Sequence, residues 1–165
     1  MKIAILSDSH DNIKNLEKTL AFCKKKKIKK IIHCGDITKA ETLNFIKDNF
    51  KGEIFVSLGN ADLKEEILFL KENLEGVSIF ENLGEIEINN LKIGFCHFPN
   101  DLNELIQKKE YDFFFFGHTH KPSLKKNKKC YLVNPGNSAN LYFQPTFAIL
   151  DTKSKKLNLV LINKL

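Results

Sequence analysis

Seven residues able to hold a metal ion stand at five places in the chain, each just after a short apolar run. Asp8 and His10 follow Lys2 to Leu6, Asp36 follows the run ending at Cys34, and Asn60 follows Ile54 to Leu58. His97 comes directly after Cys96, and His118 with His120 follow four consecutive phenylalanines. Carboxylate, imidazole and amide oxygen together suit divalent Mn, Fe, Co, Ni or Zn. The pairs Asp8/His10 and His118/His120 are each spaced by two, so a strand-like backbone would turn both members to one face. Gly35, Gly59 and Gly117 stand immediately before Asp36, Asn60 and His118, where a missing side chain lets the backbone turn tightly beside a ligand. His33 lies within a strand and is read as structural or supporting. Asp62 is read as a helix cap or an orienting group rather than a ligand.

The elements that must position these residues alternate along the first half of the chain. A strand over Lys2 to Leu6 leads to an amphipathic helix from Asn12 to about Lys27, with Ile13, Leu16, Leu20 and Cys23 on one face. A second strand runs from Ile31 to near Cys34. A second helix covers Thr38 to Asn49, with Thr38 as N-cap and Glu41 completing a capping box. A third strand over Ile54 to Leu58 and a third helix over Leu63 to Asn73 follow. Strands apolar on both faces, alternating with helices, predict a mostly parallel sheet covered by helices.

The second half changes character. Val77 to Phe80, Glu85 to Ile88 and Leu91 to Cys96 read as short strands, the last two joined by a turn at Asn89-Asn90. Asp101 to Lys109 reads as a short helix. Phe113 to Phe116 is wholly apolar and reads as a buried central strand. The remainder, including Cys130 to Val133, Thr146 to Leu150 and Leu157 to Leu161, reads as mainly strand. Without a linker or internal repeat, residues 1–165 are expected to form one domain. Ligand sites in open α/β sheets form beyond the carboxyl ends of the strands, so the scattered donors are expected to converge there.

Composition limits the classes open to this chain. No apolar run reaches the roughly 18 residues of a membrane span, and the start lacks signal-peptide character, so a cytoplasmic protein is expected. Cys23, Cys34, Cys96 and Cys130 form no C-x-x-C pair and are expected to be free thiols. The formal charge of +6 is concentrated around Lys24 to Lys30. That cluster is read as the solvated end of a helix, because it lacks the arginine forks and stacking aromatics of a nucleic-acid surface.

The ordered series Asp8-Ser9-His10, Gly35-Asp36, Gly59-Asn60, His97 and Gly117-His118-Thr119-His120 resembles the calcineurin-like metallophosphoesterases, in particular their small single-domain phosphodiesterases. Asn134-Pro135-Gly136-Asn137-Ser138 resembles the family's late Asn-Pro-Gly-Ser segment, with Asn137 inserted. The resemblance implies a four-layer α-β-β-α sandwich with two mixed β-sheets. It assigns Asp8, His10 and His120 to one metal ion, Asn60, His97 and His118 to a second, and Asp36 to both. Mn2+ or Ni2+ is expected, with Co2+, Fe2+ and Zn2+ compatible. A hydroxide bridging the two ions is expected to attack phosphorus in line, with Asp36, Asn60 and His97 carrying the chemistry. The expected substrate is a small phosphodiester, and relatives of this type admit a homodimer or larger homo-oligomer.

Two positions depart from the fuller family pattern. Ala61 stands where many relatives have a histidine that assists the leaving group. His97-Phe98-Pro99 replaces a His-Gly-His, which predicts a weaker second metal site. The alternative carried by the same resemblance is a protein-binding scaffold with weak or lost catalysis.

Overall fold

Alternation along single strands feeds two cores at once. In β1 (Lys2–Leu6), Ala4 and Leu6 face the helices while Ile3 and Ile5 face a second sheet, as the two-residue period of a strand requires. β10 (Thr146–Asp151) does the same, with Phe147 and Ile149 on the helix side and Ala148 and Leu150 on the other. The computed structural model describes residues 1–72, 74–100, 105–106 and 109–165.

The first sheet has the order β11-β10-β1-β2-β3-β4. β1 to β4, with β2 at Lys30–His33, β3 at Glu53–Ser57 and β4 at Val77–Phe80, run parallel. β10 and β11 (Lys156–Leu161) extend the sheet antiparallel. The second sheet has the order β5-β6-β7-β9-β8 and is also mixed. Its strands are Leu83–Ile88, Leu91–Cys96, Phe113–Phe115, Ser123–Asn127 and Cys130–Asn134 for β5 to β9. Helices α1 (Ile13–Lys25), α2 (Ala40–Asn49) and α3 (Lys64–Phe69) contribute to the core on the outer side of the first sheet. This is an α/β sandwich of two mixed sheets flanked by helices. Most of the helix expected over Asp101 to Lys109 lies outside the described residues; Leu105 and Ile106 pack on the outer face of the second sheet, beside Phe114.

The phenylalanine run is central, as expected. Phe113 and Phe115 face the inter-sheet core and Phe114 the outer cluster, and all three are fully buried. The strand stops at Phe115, leaving Phe116 half-buried beyond it.

One local expectation needs correction. Thr38 does not cap α2. The helix starts at Ala40 after Lys39, without a side-chain cap, and Thr38 has φ 93° with its N–H donating to Asp62 Oδ1 at 2.7 Å. The loop carrying Asp36 claims Thr38 before the helix can. The strand β8 falls in the remainder read as mainly strand but is not marked out there, because its Ser-Leu-Lys-Lys-Asn sequence lacks the apolar alternation of a half-buried strand. It is an edge strand, where exposed lysines are tolerated and guard against pairing with another chain. Among the described residues, no helix is long and apolar enough to cross a membrane.

Candidate metal centre

Every predicted donor sits just past the carboxyl end of β1, β2, β3, β6 or β7, and the two-sheet packing brings all five ends together. The backbone there is not strand-like, which corrects the simplest account of the paired residues. Asp8, His10, Asp36, His118 and His120 all have φ between 39° and 67°. Left-handed turns on non-glycine residues cost energy and persist only where the surroundings hold them. Here the loops hold one another: Asp8 N–H donates to Gly35 O at 3.0 Å and His10 N–H to Asp36 O at 3.0 Å.

The donors fall into two groups that share one carboxylate oxygen. In the first, Asp8, His10, Asp36 and His120 each offer a ligand atom, all within 4.8 Å of one another. His10 Nε2 lies 3.3 Å from His120 Nε2, and His120 Nε2 lies 3.3 Å from Asp8 Oδ1. In the second, Asn60 Oδ1 is 3.0 Å from both His97 Nε2 and His118 Nδ1. Asp36 Oδ2 is 3.6 Å from His10 Nε2 and 3.3 Å from His97 Nε2. It therefore faces both groups.

Supporting contacts fix this arrangement. His97 Nδ1 is 2.8 Å from the carbonyl of Cys34; a carbonyl only accepts, so Nδ1 carries the proton and Nε2 is the atom turned inward. Asp62 accepts N–H bonds from Asp36 at 3.0 Å, Gly59 at 2.7 Å and Thr38, the orienting role read from the sequence. His33 Nε2 pairs with Ser9 Oγ at 3.1 Å. Asn134 Nδ2 donates to Gly117 O at 2.8 Å and to Thr119 Oγ1 at 3.0 Å, so it secures the loop between the paired histidines. Gly59 and Gly117 matter for close approach: a Cβ on Gly59 would meet Asp36 Oδ1 at 2.1 Å, and one on Gly117 would meet Ser7 Oγ at 2.1 Å.

Electrostatics calls for a cation. Asp8 and Asp36 are buried, and among the described residues no lysine or arginine is ion-paired with either of them. Burial pushes the Asp8 carboxyl up to about 6. Burial also acts against ionised Asp36, but the hydrogen bond and charge of His97, with the Ala61 N–H, hold it below the usual carboxylate range. For His97, burial is likewise outweighed by Asp36, which raises the imidazole. Two buried carboxylates facing four imidazoles are costly without a cation, and the donor set is the one divalent transition ions take.

Sequence reasoning missed the aromatic surroundings. The Phe98 ring packs against His97 and His118, with centroids 4.9 Å and 4.8 Å away, and Tyr142 approaches His120 at 5.7 Å. The available signal was a run of large apolar residues, Leu141 to Phe143, in an otherwise polar loop. Asn137 pins that loop by accepting from Leu141 N–H at 2.9 Å, which gives the inserted asparagine a role. Pro99 lines a neighbouring groove.

A two-sheet sandwich with this cluster beyond its strand ends defines a metallophosphoesterase-type protein. The chain matches the calcineurin-like phosphoesterase superfamily domain over residues 1–155, and it belongs to that family. It is 33% identical over 164 residues to a phosphodiesterase of Methanocaldococcus jannaschii, covering 94% of this chain and 96% of that protein. Its structure is similar to that of an archaeal phosphodiesterase, with TM-score 0.88 and 28% identity over 98% of this chain and 99% of that one. It shares its fold with zinc-complexed Vps29 of Entamoeba histolytica, with TM-score 0.69 and 20% identity over 99% and 100% of the two chains.

Proposed function

We propose that residues 1–165 act as one domain, a phosphodiesterase dependent on two divalent ions, with Mn2+ or Ni2+ preferred. The observation that carries this reading is the position of Asp36 Oδ2, within 3.6 Å of His10 and 3.3 Å of His97, between two otherwise separate donor groups. Asp8, His10 and His120 would hold one ion, Asn60, His97 and His118 the other, and Asp36 both. Bound there, the ions would neutralise phosphate charge and bring the pKa of water toward neutrality.

The chain's own residues do the rest. Asp36 fixes the spacing of the two groups, with Oδ1 tied to the Ala61 N–H and Oδ2 free to face inward. Asn60 is exposed at the rim, where its amide can orient a phosphate oxygen. Water attacks phosphorus in line with the departing alkoxide, whose bond to phosphorus breaks. With alanine at position 61, that position offers no acid to protonate the leaving oxygen, which favours esters of good leaving groups. The relative from Methanocaldococcus jannaschii named as a phosphodiesterase supports diesters over monoesters. Four buried cysteines, none of them in a disulfide, support a reducing, cytoplasmic setting.

The test is hydrolysis of a bis-aryl phosphodiester and of its monoester counterpart by metal-stripped protein, with single metals restored and Asp36→Asn as the comparison. Turnover that needs metal, favours the diester and falls by about 10²-fold or more in the variant is expected. Folded protein inert with every metal would overturn the reading.

A further inference from the structure

We infer that the groove beside the metal centre is a subsite for the non-reacting arm of the diester, and that this arm is nucleotide-like: a planar base with a second phosphate. The inference rests on the proposed reaction and names its substrate class. The groove encloses about 770 Å³, within the range of small-molecule sites. No donor side chain lines it, but sequence neighbours of the donors do: Thr119, between His118 and His120, Lys121, directly after His120, and Pro99, two residues after His97.

Its lining has two kinds of surface. Phe116, Leu132 and Phe143 give it apolar walls, and Lys121, Lys125 and Lys126 give it positive charge, Lys126 with its Nζ 5.3 Å from the centre of the Tyr131 ring. Among the described residues none of the three lysines forms an ion pair, and all are exposed. Edge-strand protection would account for Lys125 on β8, but Lys121 precedes that strand and directly follows His120. A phosphate held at the metals would place its substituent over the phenylalanines and a further phosphate near the lysines. Aromatic faces accept any base by stacking, and ammonium groups favour an additional anion.

Calorimetric titration of the Mn2+-loaded protein tests this with three probes: thymidine 5′-phosphate, thymidine 3′,5′-bisphosphate and the base-free propane-1,3-diol bisphosphate. The nucleoside bisphosphate should bind about tenfold more tightly than either of the others, and its advantage over the monophosphate should shrink as salt rises. Lys121→Ala/Lys125→Ala should remove most of that advantage, since the remaining Lys126 is engaged over Tyr131. Lys24→Ala/Lys27→Ala, which removes the same charge from the end of α1, should retain it. Phe143→Ala should reduce the preference over the base-free probe. Equal binding of the two nucleotides, or equal losses in both double variants, would overturn the subsite. A bisphosphate advantage that needs no base would overturn its nucleotide character. Wild-type turnover of the bis-aryl diester reports on the reaction separately: turnover with no second-phosphate preference removes only the subsite, and the preference without turnover supports the groove while removing the reaction.

Discussion

The backbone N–H of Ala61 donates to Asp36 Oδ1 at 2.8 Å, so the residue next to Asn60 orients the carboxylate that faces both donor groups. The bond uses the main chain and is indifferent to the side chain at 61. Ala61→His should therefore keep Asp36 in place while adding the imidazole that many relatives carry there. General acid assistance typically gives about 10²–10⁴-fold. Turnover of an alkyl phosphodiester should rise by at least about tenfold, with little change for an aryl ester whose leaving group needs no proton. Parallel kinetics on the two esters check this, and equal effects on both would contradict an acid role.

Among the described residues Asp62 holds the site through backbone N–H groups rather than ligand side chains, yet it should matter nearly as much. Its carboxylate accepts from the backbone N–H groups of Asp36, Thr38 and Gly59. Asp62→Ala leaves these groups short of an acceptor in a buried place, at a cost of about 2–5 kcal/mol. Asp62→Asn retains one acceptor oxygen and should cost less. Loss of an outer orienting group also weakens metal binding by about 10–100-fold. Urea unfolding and Mn2+ titration of both variants would show whether the two effects move together.

The donor set was legible because its chemistry is written in residue type: Asp, His and Asn after apolar runs have few other uses in that pattern. Strands buried on both faces, such as Ile3 to Leu6, were equally plain. The backbone at His118 and His120 was not, because spacing by two is shared by a strand and by successive left-handed turns, and only the packing of Gly117 against Ser7 decides between them. Thr38 misled because a local capping pattern lost to a tertiary contact with Asp62. The bounds of β8 were not legible because an edge strand with exposed lysines buries little and so carries no periodic signal. The groove beside it is built from residues distant in sequence, which no motif could announce.

His33 gives the fold an acid-sensitive component. It is fully buried, and burial pushes its imidazole down to about 3, whereas the unfolded chain takes a proton near 6.5. Its contribution is complete above pH 6.5 and is lost progressively as the pH falls toward 3, by about 3 kcal/mol between pH 6.5 and 4. In metal-free protein Asp8 runs the other way over part of this window. Its folded-state carboxyl titrates near 6, so ionising it disfavours the fold as pH rises from about 4 to 6. His33→Gln keeps a polar partner for Ser9 and removes the titration. Urea unfolding from pH 4 to 7.5 should give the variant a smaller loss of stability toward acid than the wild type; identical slopes would remove His33 from the account.

Gly117 tests whether the centre depends on backbone contact. An added Cβ would stand 2.1 Å from Ser7 Oγ, 2.7 Å from Cys34 O and 2.9 Å from Asp8 Oδ2. None of these can retreat freely, since Ser7 Oγ donates to Cys34 O at 3.1 Å and Asp8 Oδ1 accepts from His118 N–H at 3.2 Å. Gly117→Ala should therefore destabilise the protein by about 1–3 kcal/mol, as overpacking does. The displacement should also separate Asp8 from His120 and weaken metal binding more than it weakens the fold. Gly76→Ala provides the contrast: its φ of 75° strains any side chain there, a strain Gly117 does not have, but its nearest contact is only the flexible end of Lys47 at 3.2 Å. If the two variants lose equal stability and Mn2+ affinity is unchanged in both, close packing at Gly117 is not what sets the position of Asp8.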